Sequence, residues 1–132
     1  MQILNLYDLA SRSQKGVAFD TKDGATKLEA RVMVTPAGGQ RQKLHYHTDR
    51  EGWMMVLSGE GKEVMEEGGT LKEYSVKAHD IWFVPAKAKH RIENVGTTEL
   101  KVLEMYSLPH DFIIVEQRSE DDFVGGEASN AR

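Results

Sequence analysis

"HYHTDRE", residues 45–51, sets two histidines one residue apart and a glutamate four positions after the second. Only five histidines occur in the 132 residues, so placing two of them together asks for a reason. In a strand, residues i and i+2 project to the same side, so His45 and His47 point together and Tyr46 points to the opposite face. In a helix the same pair would diverge by about 200° and could not share a ligand. The surrounding "QKLHYH" is β-rich, so the strand geometry applies. Neutral imidazole nitrogens are the commonest protein metal ligands and bind a divalent ion at about 2.0–2.1 Å. Glu51, across the turn "TDR", would add a carboxylate. Taken alone, the pair is a weak signal, more often simply what a half-exposed strand presents to water. A second segment has to decide.

The rest of the chain is written in strands. "KLEARVMVTP" alternates Leu28, Ala30, Val32 and Val34 against Glu29, Arg31 and Met33, the period of a strand with one buried face. Further β-rich runs are "GWMMVLSG", "KEVMEE", "LKEYSV", "DIWFVP", "HRIENV", "ELKVLEMYSL" and "DFIIVEQ". Turn residues separate them, among them Pro36 to Gly39, Gly59 to Gly61, and the Gly68–Gly69 pair that predicts a two-residue hairpin. Many short strands with regularly spaced turns read as a sandwich or barrel. "LYDLASRSQKG" has room for one or two helical turns, and residues 117–132 read as a polar, loosely ordered tail.

Bulk properties exclude several classes. Hydrophobic residues make up 39% and charged residues 29%, the balance of an ordinary globular domain. A formal net charge of −4 argues against nucleic-acid binding, which needs clustered Lys and Arg. No stretch approaches the roughly 20 apolar residues of a membrane-spanning helix, and the opening "MQILNLYDLASRS" does not read as a signal peptide. Without cysteine there is no disulfide or thiolate ligand, and the cytoplasm is the expected location.

"HDIWFVPAKAKHRIENVG", residues 79–96, supplies the deciding segment: a strand ends at Pro85, a short loop follows, and His90 opens another strand that closes with Asn94. Together the two segments resemble the paired motifs of the cupin superfamily. The first, G-x5-H-x-H-x3/4-E-x6-G, maps onto Gly39, His45, His47, Glu51 and Gly59; the second, G-x5-P-x-G-x2-H-x3-N, maps onto Pro85, His90 and Asn94. The resemblance spans about residues 27–108 and implies an all-β jelly-roll barrel, a double-stranded β-helix, as one domain over residues 1–116. It also implies a divalent metal ion (Fe, Mn, Zn or Ni) held by His45, His47, Glu51 and His90, and a homodimer.

Three departures stand out. His79 and Lys87 replace two glycines of the second motif. Glu51 leaves seven residues before Gly59 instead of six, so strand alternation turns it away from the ligand face unless a bulge at Gly52 absorbs the extra residue. Without that bulge the site is three histidines with water, or takes Glu104 as its acid. Trp53, Met55, Val56, Trp82, Phe83 and Ile92 are candidate apolar walls, and His79 and His110 candidate proton carriers.

A site of this kind keeps open positions for a small-molecule ligand. The expected function is a metal-dependent enzyme acting on a small organic acid, ketone or sugar derivative, by oxygenation, isomerisation, decarboxylation or lyase chemistry. The alternatives are a non-catalytic binder of a small metabolite and a purely structural ion. Metal affinity is expected to fall as pH drops through about 6.5, where free imidazole protonates.

Overall fold

The computed structural model describes residues 3–11, 16–21, 24–107 and 113–123. A short helix, α1 (Leu6–Ser11), precedes ten strands. They are β1 (Gly16–Thr21), β2 (Leu28–Thr35), β3 (His45–His47), β4 (Gly52–Ser58), β5 (Glu60–Glu67), β6 (Thr70–Lys77), β7 (Ile81–Val84), β8 (His90–Asn94), β9 (Leu100–Ser107) and β10 (Ile113–Val115). They form two five-stranded sheets, ordered β1-β2-β9-β4-β7 and β10-β3-β8-β5-β6. Every pairing is antiparallel. The all-β jelly-roll expectation holds, with β1 a strand that the sequence reading does not place. The β5–β6 hairpin turns on Gly68 and Gly69, both at positive φ (61° and 82°), as a two-residue turn of this kind requires.

The main core lies between the sheets and gathers Met33, Met54, Val56, Val76, Val84, Leu100 and Val102. Strand β2 corrects the reading of its alternation. Val32 and Val34 lie in a separate cluster with Leu103, against Leu4 and Leu6 at the start of the chain. Met33 belongs to the inter-sheet core, and Arg31, in phase with it, lines the interior. Both faces of the strand are buried, so alternation alone could not say which was the inside. Helix α1 is too short to persist alone and depends on this packing. Asn5 caps it, its side-chain oxygen accepting from the N–H groups of Tyr7 and Asp8 at 2.9 and 3.2 Å.

The segment expected to be a polar tail packs as far as Phe123. Arg91 makes two bonds to Glu120, at 2.8 and 3.0 Å, and Phe123 is buried with Leu44, Val64 and Leu71. Residues 124–132, and with them the rest of that tail, lie outside the described residues, as does His110.

His79 and Lys87 adopt the left-handed backbone of the glycines they replace, with φ of 76° and 69°. A side chain there costs about 1 kcal/mol relative to glycine. Lys87→Gly is therefore expected to raise unfolding stability by up to about 1 kcal/mol, net of the entropy glycine adds to the unfolded chain. Urea denaturation checks it, and a loss of more than 1 kcal/mol would contradict it. Histidine tolerates this region better than most residues, so His79→Gly should gain less.

Candidate metal centre

Three imidazoles meet inside the barrel. His45 and His47 leave β3 on one face, as their spacing predicts, and His45 stands directly opposite His90 in the β3–β8 register. The ring centroids of His45 and His90 are 4.5 Å apart, and His47 lies 5.6 Å from each. One ring nitrogen from each of the three falls within 4.8 Å of the other two. His47 and His90 are buried, and His45 is half-buried.

The local structure that aims each ring is short-range. His45 Nδ1–H donates to the Lys43 carbonyl at 2.7 Å, and His90 Nδ1–H donates to the Ala88 carbonyl at 2.9 Å. Each bond puts the proton on Nδ1 and leaves the Nε2 lone pair for an ion, the usual outer support of a metal-binding histidine. The turn after Pro85 sets the second of these, with Ala88 N–H on the Pro85 carbonyl and Lys87 N–H reaching back to the His47 carbonyl at 2.7 Å. His47 differs. Arg50 Nε–H donates to its Nδ1 at 3.2 Å, which places the ring proton on Nε2 while that bond stands. Loading an ion through His47 Nε2 requires Arg50 to release the ring and the proton to move to Nδ1. The donor set fits a divalent ion, with two ligands pre-set and the third turned by its bond to Arg50.

Glu51 is not brought to the cluster. It is exposed, and its backbone is tied on both sides to Ser107, N–H to Oγ at 3.0 Å and carbonyl to N–H at 2.9 Å. The register of β4 explains this. It runs without interruption from Gly52 to Val56, and the irregularity that absorbs the extra residue falls between Val56 and Ser58. No bulge at Gly52 re-aims Glu51. Alternation places Gly52, Met54 and Val56 inward and Glu51 with the exposed Trp53. No side chain fits at Gly52, where a Cβ would meet the Met105 carbonyl at 2.5 Å and the Tyr106 ring at 2.6 Å.

The sequence reading missed most of the polar groups around the imidazoles. Arg31, Glu63, Glu104 and Tyr106 line the same small cavity, ≈ 60 Å³ in volume, with Trp82 and Ile92 on its apolar side. Glu104, the alternative acid, is buried and bonded to Arg31 at 2.8 Å; it does not join the imidazole cluster. Arg50 lies 4.1 Å from the Tyr106 ring centre, and His47 is 5.3 Å from that ring. Burial, and secondarily the Glu104 charge, pushes the Tyr106 hydroxyl well above its ordinary range, so it stays a neutral phenol. Of the expected apolar walls, Val56, Trp82 and Ile92 belong to the interior, while Trp53, Phe83 and Met55 lie on the other face of their strands. His79 is exposed, lining a groove with Leu6 and Tyr7, away from the imidazole cavity.

Burial drives the His90 pKa down to about 3, helped by the neighbouring imidazoles and Arg50, and it lowers that of His45 in the same direction. This revises the expected acid response: proton competition at His90 begins far below 6.5. The unfolded chain accepts a proton near 6.5 that the folded chain refuses until about 3. The contribution of His90 to stability is thus complete above 6.5 and is lost as pH falls, by about 1.4 kcal/mol per unit. Glu63 opposes it, because burial raises its carboxyl. Chelator-treated protein is therefore expected to lose about 1–3 kcal/mol between pH 7 and pH 5 in urea unfolding. His90→Gln should flatten that limb; an unchanged slope would contradict the assignment.

Comparison with known proteins agrees with this geometry. The family profile described as "Cupin domain" matches residues 31–106. Oxalate decarboxylase OxdC of Bacillus subtilis (strain 168) is 28% identical over 95 residues, covering 71% of this chain and 25% of that protein. A 3-hydroxyanthranilate 3,4-dioxygenase of Xanthomonas campestris pv. campestris (strain B100) is 30% identical over 81 residues, covering 60% of this chain and 46% of that one. The chain thus spans between a quarter and a half of the length of these two relatives. Among solved structures, a Bacillus subtilis oxalate decarboxylase described with Mn(II) centres superposes with a TM-score of 0.67 at 20% identity, over 81% of this chain and 30% of that one. At that identity the likeness concerns the fold. With more than half of its length matched by the family profile, this chain belongs to the cupin family.

Proposed function

We propose that this protein is a metal-dependent enzyme that holds one divalent ion with His45, His47 and His90 and acts on a small organic acid, ketone or sugar derivative. The observation that carries the reading is the convergence of three imidazoles from β3 and β8 on one interior cavity. A bound divalent ion would polarise a substrate oxygen or acidify water. The chain's own residues supply the rest. Arg31 lines the cavity and offers charge to an anionic head group, while its bond to Glu104 holds the guanidinium in place. The cavity's ≈ 60 Å³ admits only a few non-hydrogen atoms beside an ion, so only a small head group enters it. Glu51 is left out of the proposed ligand set because it faces solvent. Ligand type suits Fe, Mn, Zn or Ni.

The test is turnover. Metal-loaded protein is incubated with small carboxylic acids, ketones and sugar acids, with and without O₂, and products are followed by mass. Conversion of at least one is expected. Thermal stabilisation by a ligand without product would instead assign a binding role, and the absence of both conversion and stabilisation would overturn the proposal.

We further propose a homodimer. Leu28 (70% exposed), Trp53 (48%), Phe83 and Met105 leave an apolar patch on the outer face of the first sheet. Sedimentation should give about twice 14.9 kDa, falling to the monomer mass in Trp53→Glu. A wild-type monomer would contradict this.

A further inference from the structure

A second chamber, ≈ 370 Å³, opens at the seam where the edges of the two sheets meet, between β5–β6 and β7. Glu63 and Trp82 line both this chamber and the histidine cavity, so the two spaces adjoin through these side chains. Both residues carry a buried polar atom without a hydrogen-bond partner, Glu63 Oε1 and Trp82 Nε1. Glu63 is only 4% exposed. An unsatisfied buried donor or acceptor costs about 1–3 kcal/mol, and here two of them border one space.

The other polar groups of the chamber are engaged. Tyr74 Oη–H donates to Glu67 Oε1 at 2.6 Å, and the Asp80 carboxylate accepts the Lys77 N–H at 2.7 Å. Met65, Val76 and Trp82 give it an apolar wall. Among the described residues no lysine or arginine lines it, and three acids do, so an anionic group is disfavoured. Burial, with Glu104 as a lesser cause, raises the Glu63 carboxyl well above its usual range, which keeps this wall uncharged and suits a neutral guest.

We propose that the chamber binds the uncharged, hydroxyl-bearing end of a small ligand, one hydroxyl accepting from Trp82 Nε1–H and donating to Glu63 Oε1. A hydroxyl does both at once, which an ether, a carboxylate or an ammonium does not. The chamber is large enough for a chain of a few hydroxylated carbons stacked along the indole. In the reaction this end would position a ligand whose head lies among the histidines; only that clause rests on the function proposed above.

The test reads the two indole N–H signals of the full-length, chelator-treated protein by NMR, assigned with Trp53→Phe. Four- to six-carbon polyols and the unhydroxylated dicarboxylic acids of matching length, which present a carboxylate at either end, are titrated. The polyols should shift the Trp82 signal in a saturable way and leave Trp53 unmoved, and the acids should bind at least tenfold more weakly. Glu63→Leu removes the acceptor and Trp82→Phe the donor, and each should weaken polyol binding about tenfold, whereas Glu63→Gln keeps a carbonyl acceptor and should bind polyols nearly as well as wild type. For Trp82→Phe, binding is followed by calorimetry and the fold is checked by the amide spectrum. No saturable shift with any polyol, or equal binding of acids, overturns the proposal. Because the titration is run without metal, a positive result beside failed metal uptake would retain the chamber and reject the metal reading. Metal uptake without any polyol effect would do the reverse.

Discussion

Replacing His90 by alanine is expected to lower divalent-metal affinity by at least about 100-fold while leaving a folded barrel. Loss of even an outer supporting bond to a metal ligand typically costs 10–100-fold, and here a ligand itself is removed. His90 is the contribution of β8 to the cluster, and without it His45 and His47 remain as a pair on one short strand. The fold should survive because the packing of β8 rests on Ile92 and Asn94, and because a polar ring is deleted rather than a core aliphatic. Competition with a chromophoric chelator measures the affinity, and circular dichroism the fold. An affinity within threefold of wild type would show that β8 takes no part in binding.

The second large effect concerns stability. Asn94→Ala is expected to cost about 3 kcal/mol or more, read as a shift in the urea midpoint at unchanged slope. Asn94 is fully buried and makes three bonds. Its Nδ2 donates to the carbonyls of Thr35 at 2.9 Å and Thr98 at 2.8 Å, and its Oδ1 accepts the Gly96 N–H at 2.9 Å. It thereby ties the end of β8 to the end of β2 in the other sheet. Alanine fills none of these roles and leaves the backbone groups to find water or go unpaired. Metal affinity should change little, since the Asn94 side chain does not line the histidine cavity. A loss below 1 kcal/mol would mean that the two sheets are held elsewhere.

These two residues illustrate what could be read from the chain alone. His45 and His47 were legible because strand periodicity is a local property, and His90 and Asn94 because a second β-rich segment places them at motif spacing. Glu51 was not. Its direction depended on which residue of β4 absorbs the extra position, and the answer, between Val56 and Ser58, is fixed by pairing with β9 almost fifty positions away in sequence. Arg31 escaped for a related reason. Alternation in β2 separated two faces correctly, but the apolar face turned outward beneath Leu4 and Leu6, and the polar face turned inward. Glu63 sits in "KEVMEE", where nothing local marks it as buried; only the closure of β5 against β8 does so. The packing of Phe123 and Glu120 onto the second sheet likewise follows from partners, Leu44 and Arg91, that lie far away along the chain.

X-ray absorption on zinc-loaded protein bears most directly on whether β3 and β8 share one ion. Three imidazole scatterers at about 2.0–2.1 Å are expected, falling to two in His90→Ala. A wild-type spectrum with one imidazole or none, or protein that takes up no zinc, would contradict the account.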